Sequence, residues 1–304
     1  MSTIQVTCCP VCGSKEIEKV FDTVDHFSSG EVFPVCDCRA CGFRFTGSFP
    51  SEEEIGKYYD SPDYISHSDS SEGLTNRLYH LFRKMMLRRK VSLVASCVKD
   101  RQARLLDIGC GTGYFLHAAK EHGFRVSGIE KNSSAREKAV THFGLDVKDE
   151  SSFFRIAHSS FDVVTLWHVL EHLEKLNESI EKIGEILTPD GTVVIALPNH
   201  RSFDAKYYKE TWAAYDTPRH LWHFTPDTLE KLLSKHHMRV IRKYRMPLDA
   251  FYVSLLSEQY RGSKTGTKYL RAFAIGKAGF LLSLFDLRQS GSIIYVAKKE
   301  DHQN

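Results

Sequence analysis

Two matched cysteine pairs, Cys9-Pro-Val-Cys12 and Cys38-Arg-Ala-Cys41, constrain this chain before any other feature does. Each is followed by a glycine, Gly13 or Gly42, which relieves the tight turn that brings two sulfurs together. Two such turns supply the four thiolates that a tetrahedral Zn²⁺ takes. A closed four-sulfur site keeps no open coordination position, so the metal expected on Cys9, Cys12, Cys38 and Cys41 is structural. Six of the eight cysteines fall within the first 41 residues, which leaves Cys8 and Cys36 as substitute ligands. No apolar signal region or cleavage site stands ahead of them, so the chain is expected to be cytoplasmic. Reduced thiols in that compartment favour zinc over disulfides. The expectation is a small metal-held module over residues 1–48.

Composition narrows the remainder. The chain has 304 residues, 42% hydrophobic and 26% charged, which suits roughly two ordinary globular domains. A formal charge of +3 is too small to imply a nucleic-acid partner by itself. No run of 18 uncharged apolar residues exists; the nearest, Leu270 to Leu287, is broken by Arg271, Lys277 and Asp286. Residues 49–103 read as a helical linker or cap. Ser51-Glu-Glu-Glu54 has the form of a helix start, and Leu78, Leu81, Phe82, Met85 and Met86 recur at helical spacing between Thr75 and about Val98. The basic residues of that stretch, Arg83, Lys84, Arg88, Arg89 and Lys90, read as a solvated face rather than a patch for an anionic partner.

After Asp100 strands and helices alternate. Strand-like runs at Arg104–Ile108, Arg125–Ile129, Phe161–Leu166 and Gly191–Leu197 are separated by helical patterns at Tyr114–His122, Ser134–Phe143 and Leu173–Leu187. Two further strands are expected at Met238–Arg245 and Ser292–Lys298. Such alternation argues an α/β fold, a Rossmann-like parallel sheet wound on both faces, closed by a strand pair. Between the first strand and its helix lies Asp107-Ile-Gly109-Cys110-Gly111-Thr-Gly113. Glycines there allow a tight turn and close approach of a ligand to amides at a helix N-terminus. A dinucleotide fingerprint would need glycine where Tyr114 stands.

The Asp-x-Gly-x-Gly-x-Gly run resembles motif I of the class I S-adenosylmethionine-dependent methyltransferases. Gly128-Ile-Glu130 at the end of the second strand, Phe161–Leu166 as the fourth strand and Leu187-Thr-Pro-Asp-Gly-Thr192 before the fifth are similar to that family too. The resemblance covers about residues 100–245 and the last strand. It implies a seven-stranded mixed sheet, preceded here by a four-cysteine zinc-ribbon module, with the methyltransferase domain over 104–304. It also implies that Asp107, Gly109, Cys110, Gly111 and Gly113 cradle the methionine end of S-adenosylmethionine. Glu130 would then take the ribose hydroxyls, with Asp149 and Trp167 as further cofactor contacts.

The fourth strand leads into Trp167-His-Val-Leu-Glu-His-Leu173. A helix starting here would put His168, Glu171 and His172 on one face at the carboxyl end of the sheet, where open α/β sheets bind ligands. Two imidazoles and a carboxylate can hold a second divalent metal that orients a hydroxyl. Alternatively, one His serves as general base while Glu fixes its tautomer. The run resembles the Glu-His element of quinol O-methyltransferases and of small-RNA 3′-end methyltransferases; in the latter a Glu-x-x-Glu-His helix binds metal, and His168 stands where the first Glu would. His220, in Asp216-Thr-Pro-Arg219-His220, could complete the site, and Arg219 could pair with a substrate phosphate or carboxylate. Residues 201–225 are expected to form a lid. The helical insertion 247–289 is expected to cap the pocket, form a homodimer or touch a membrane surface.

The resulting expectation is a methyltransferase acting on O or C of a small hydroxylated metabolite, such as a nucleotide-linked sugar or a quinol. Its catalytic group would be His168, Glu171, His172 and His220. An rRNA or tRNA methyltransferase with a zinc-ribbon module is the alternative enzyme, and a non-catalytic zinc-ribbon interaction protein is the alternative of another class.

Overall fold

The computed structural model describes residues 3–51, 53–59, 74–100, 102–246 and 248–300. Glu52 and Pro247 of the sequence argument, and the side chains of Leu78, Leu81 and Phe82, lie outside the described residues. The N-terminal strands are β1 (Thr3–Gln5), β2 (Ile17–Val24), β3 (Val32–Cys38), β4 (Arg44–Thr46) and β5 (Ser48–Pro50), followed by helix α1 (Leu74–Ala95). The core runs β6 (Arg104–Ile108), α2 (Tyr114–His122), β7 (Arg125–Ile129), α3 (Ser133–Phe143), β8 (Val147–Lys148), β9 (Phe161–Trp167), α4 (Leu176–Ile186) and β10 (Leu187–Pro198). Then come α5 (Phe203–Tyr208), β11 (Trp222–His223), α6 (Pro226–Lys235), β12 (Met238–Arg245), α7 (Asp249–Tyr260), α8 (Thr265–Phe285) and β13 (Ser292–Lys299).

Seven strands form one mixed sheet in the order β12-β13-β10-β9-β6-β7-β8. β13 runs antiparallel to both neighbours, while β6, β7, β8, β9 and β10 are mutually parallel. This is the Rossmann-like sheet read from the alternating pattern. Val193 to Leu197 of β10 are all fully buried, as expected for a strand covered on both faces. The flanking helices bury one stripe each, Leu176, Ile180 and Ile183 in α4 and Leu229, Leu232 and Leu233 in α6. Helix α6 starts with a capping box, in which Thr225 Oγ1 accepts from the Thr228 amide and Thr228 Oγ1 accepts from the Thr225 amide.

The second sheet has the order β11-β4-β3-β2, so Trp222–His223, from far along the chain, forms its edge strand. Phe43, Phe45, Phe49, Trp222 and Phe224 pack there as one aromatic cluster. Phe43 lies 5.3 Å from Phe224 between ring centroids, and Phe49 6.1 Å from Trp222. The same apolar core continues from Cys9 and Val11 through these rings to Ile183 and Ile195 of the large sheet.

Local differences from the sequence reading have simple causes. Among the described residues 51–59, the 3₁₀ turn Ile55–Tyr58 forms, and Glu54 at its start makes no side-chain cap hydrogen bond. In α1 the buried stripe is Val91 and Val94 with half-buried Leu87, while Met85 and Met86 are half-buried. Two of its basic residues are not solvated tips: Arg83 lies 4.0 Å from the Tyr114 ring and Lys90 4.3 Å from the Trp167 ring.

Candidate active site

The loop between β6 and α2 is shaped by three glycines with left-handed φ: Gly109 (+68°), Gly111 (+55°) and Gly113 (+84°). They are required for different reasons. A Cβ on Gly109 would lie 2.4 Å from Val169 Cγ2, and one on Gly113 would lie 2.6 Å from Leu145 Cδ1, so these two permit close internal packing. A Cβ on Gly111 would meet no protein atom within 4 Å, so beside it lies open space. Glu130, at the end of β7, accepts from the Gly111 amide at 2.8 Å and the Asn132 amide at 2.8 Å, which aims its carboxylate at this space. Cys110 is buried, and a Cβ on Gly128 would come within 2.7 Å of its Sγ, so its side chain packs inward beneath the loop.

Asp107 ends β6 fully enclosed and accepts a 2.6 Å hydrogen bond from Thr165 Oγ1. Burial pushes its pKa up to about 7, opposed by Thr165 and by the Lys90 ammonium. Trp167 packs edge-on against Phe115 at 5.3 Å, and its buried Nε1 has no hydrogen-bond partner among the described residues. Asp149 is the side-chain cap of the 3₁₀ helix Glu150–Arg155, accepting from the Ser151 amide at 2.8 Å.

Val169, seated on Gly109, carries the next segment directly against the glycine loop. No long helix begins here. Leu170–His172 is one 3₁₀ turn, and His168 precedes it with a left-handed φ of +58°. That turn divides the four histidine and glutamate residues into two groups. Glu171, His172 and His220 bring one ligating atom each within 4.8 Å of one another. His172 Nδ1 lies 2.9 Å from the Arg219 carbonyl and His220 Nδ1 lies 2.8 Å from the Ala214 carbonyl. Both carbonyls can only accept, so each Nδ1 is the protonated nitrogen and each Nε2 keeps its lone pair. The tautomers are therefore set by backbone carbonyls, not by Glu171 as the sequence suggested. Burial and the neighbouring His220 lower the His172 pKa to about 4, which keeps that ring neutral. Glu171 is fully buried, and the charged partner of its carboxylate is His168.

His168 sits outside this trio. Its Nδ1 is 3.3 Å from Glu171 Oε1, and its Nε2 is 3.1 Å from Asp249 Oδ2 at the start of α7. Burial would lower its pKa, yet the two carboxylates raise it to about 9, so it is an imidazolium at neutral pH. Asp249 carried no sequence signal because it lies 81 positions further on (249 − 168) in the insertion. Lys90 was read as solvated, but burial depresses its pKa against the pull of Asp107 and Asp249.

Arg219 does not face open space. It donates to Asp216 Oδ1 at 2.6 Å, to Asp25 Oδ1 at 2.9 Å and to the Tyr58 carbonyl at 2.9 Å, and only 2% of it is exposed. Its partners consume the guanidinium that the sequence offered to a substrate anion.

At the N-terminal module the four sulfurs of Cys9, Cys12, Cys38 and Cys41 lie within 4.8 Å of one another. Cys9 and Cys41 are 3.6 Å apart, Cys12 and Cys38 3.5 Å. A tetrahedral zinc with sulfurs at about 2.3 Å needs separations of about 3.8 Å, so the donor set fits that ion. Cys8 and Cys36 are outside the cluster: Cys8 Sγ points to the Gly13 carbonyl at 3.2 Å, and Cys36 packs beside Gly47.

Comparison with known proteins adds the following. The model of a family described as a methyltransferase domain matches residues 77–243, just over half of the chain. A ubiquinone biosynthesis O-methyltransferase of Brucella anthropi is 27% identical over 179 residues, covering 55% of this chain and 71% of that protein. The enzyme of the same name from an Azoarcus species is 31% identical over 120 residues, 37% of this chain and 51% of its own. Among solved structures, a candidate sarcosine dimethylglycine methyltransferase from Galdieria sulphuraria superposes with a TM-score of 0.50 at 14% identity, over 74% of this chain and 88% of its own. A chain from the complex of the Haloferax volcanii Trm112 methyltransferase activator with a candidate methyltransferase gives 0.51 at 14% identity, over 72% and 93%. At these identities the structural matches establish a shared fold.

Proposed function

The chain belongs to the methyltransferase-domain family and is an S-adenosylmethionine-dependent methyltransferase; from that premise we propose that its acceptor is a hydroxyl of a small metabolite, with a quinol-like compound the leading class. The O-methyltransferase relatives support that class, and a nucleotide-linked sugar is the next to be tried.

One observation carries the acceptor side of this reading. A buried carboxylate, Glu171, backed by His168, is grouped with two imidazoles whose Nε2 atoms keep their lone pairs, one turn beyond the loop that Val169 presses against. Bound S-adenosylmethionine supplies an activated methyl group and a neutral leaving group. The protein must therefore bind the cofactor, align a nucleophile and remove its proton. Gly111 leaves room for the cofactor, Asp107 offers a carboxylate for its amino group, and Glu130 offers two oxygens to the ribose diol. Cys110, Gly109 and Gly113 shape the loop. Trp167, with its unpartnered Nε1, forms a wall, and Asp149 is the candidate on the adenine side.

Glu171, His172 and His220 would hold a divalent cation, which lowers the pKa of a coordinated hydroxyl and orients it. Without metal, His172 Nε2 would take the hydroxyl proton directly. His168, as imidazolium, positions Glu171 from behind and ties it to Asp249. Zn²⁺ on the four cysteines would be structural.

Calorimetric titration with S-adenosylhomocysteine, with metal content measured on the same sample, tests the cofactor and metal assignments. Methyl transfer to catechols, quinols and nucleotide sugars is then assayed with and without chelator. One zinc per chain, a second metal equivalent and chelator-sensitive O-methylation are expected. Replacing His172 with Ala should leave S-adenosylhomocysteine binding intact while turnover falls on the order of 10²-fold. Unchanged turnover would reduce the cluster to scaffolding.

A further inference from the structure

Helix α8 is built inside out for a helix facing water. Its inward side is mostly small: Ala272, Gly276, Gly279 and Ser283 are buried, with Ile275 packed half-buried against the protein and Phe280 half-buried. A Cβ on Gly276 would come 2.7 Å from the Phe251 ring of α7, so the two helices are in tight contact. The large apolar side chains point away: Leu270 is 74% exposed, Phe273 60%, Leu281 45%, Leu284 46% and Phe285 92%. At 100° per residue these five fall within about a third of the helix circumference, opposite the small face. They extend for about 22 Å at 1.5 Å per residue. Surface helices normally place their apolar stripe inward, so this arrangement implies an apolar medium outside.

Charge identifies that medium. Between Glu258 and Asp286 there is no acidic residue, whereas Lys264, Lys268, Arg271 and Lys277 all occur there. Arg271 flanks the stripe and Lys277 lies within it, able to extend its ammonium outward along its own alkyl stem, while half-buried Lys268 lies toward the small face. A second copy of the chain fits poorly. Two-fold antiparallel pairing of the stripe would centre near Lys277 and press two ammonium groups together with no carboxylate between them. Among the described residues no helix is long and apolar enough to cross a membrane.

We propose that α8 is an in-plane membrane-docking helix that seats its Leu270–Phe285 stripe in an anionic lipid surface. Helix α7, its partner in the hairpin, begins at Asp249 against His168, so docking would place the candidate active site beside the bilayer. The inference rests on the helix face and not on the acceptor assignment.

The test is flotation of the full-length protein with vesicles of phosphatidylcholine alone or mixed with phosphatidylglycerol. The expected result is association at least tenfold greater with the anionic vesicles, weakened by high salt. The double variant Leu270→Glu/Phe285→Glu should lose it, with S-adenosylhomocysteine affinity and melting temperature unchanged. Arg271→Gln/Lys277→Gln should lose the preference for anionic lipid while remaining folded. Wild-type protein that stays in solution with both vesicles overturns the proposal. So does a wild-type dimer, dissolved by the Glu variant and indifferent to lipid, since the face would then be covered by a second copy.

Discussion

At residue scale, Gly111 and Asp107 show how differently two members of one loop constrain binding. Gly111 has a left-handed φ with empty space where a Cβ would go, so bulk added there would enter the volume proposed for the cofactor. Gly111→Val should abolish S-adenosylhomocysteine binding in calorimetry while the four-cysteine module keeps its zinc; retained binding would refute this assignment of the loop. Asp107 has a pKa raised to about 7, so it protonates just below neutrality. The acidic form cannot pair with the cofactor's ammonium group. Affinity should therefore fall roughly eightfold between pH 7.5 and pH 6 by proton linkage. Titrations across that window check it, and Asp107→Asn should bind weakly with no such pH dependence. The loop's residues were legible because glycine spacing reports backbone conformation directly. The charge state of His168 was not, because it depends on Asp249, which no spacing rule connects to it.

Among the elements, the segment 216–223 ties the two sheets together. Arg219 fastens Asp25 from the turn after β2, the carbonyl of Tyr58 and its neighbour Asp216, and the next residues become the edge strand β11. Arg219→Ala would leave the Asp25 carboxylate as a buried, uncompensated charge and should cost about 3–5 kcal/mol. Chemical denaturation would measure that loss; near-zero destabilisation would mean the network is not a fastening. Sequence reading placed this segment near the site from its position after the fifth strand. It took Arg219 for a ligand-binding group because an arginine's partners are set by contacts across 194 positions, which local sequence does not carry.

At the scale of the whole molecule, the N-terminal module and the proposed methyl-transfer site share a segment of chain. β11 belongs to the N-terminal sheet, and His220 stands two residues before it. Removing zinc with a strong chelator should therefore loosen His220 as well as the module. Turnover is expected to fall well before S-adenosylhomocysteine affinity does, because the glycine loop and Glu130 belong to the other sheet. Stripped protein with full turnover would show that the module and the site are independent.

The sequence by itself determined the alternating α/β core, the glycine loop with Asp107 and Glu130, and the two cysteine turns. Each is a short-range pattern whose periodicity or spacing imposes one local geometry. Tertiary structure alone decided that His168 is a half-buried cation held by Glu171 and Asp249 outside the Glu171–His172–His220 trio, that backbone carbonyls set the histidine tautomers, and that Arg219 is internal. It also decided that α8 turns its large side chains outward. These depend on burial and on partners brought from distant segments, and only the folded chain specifies either.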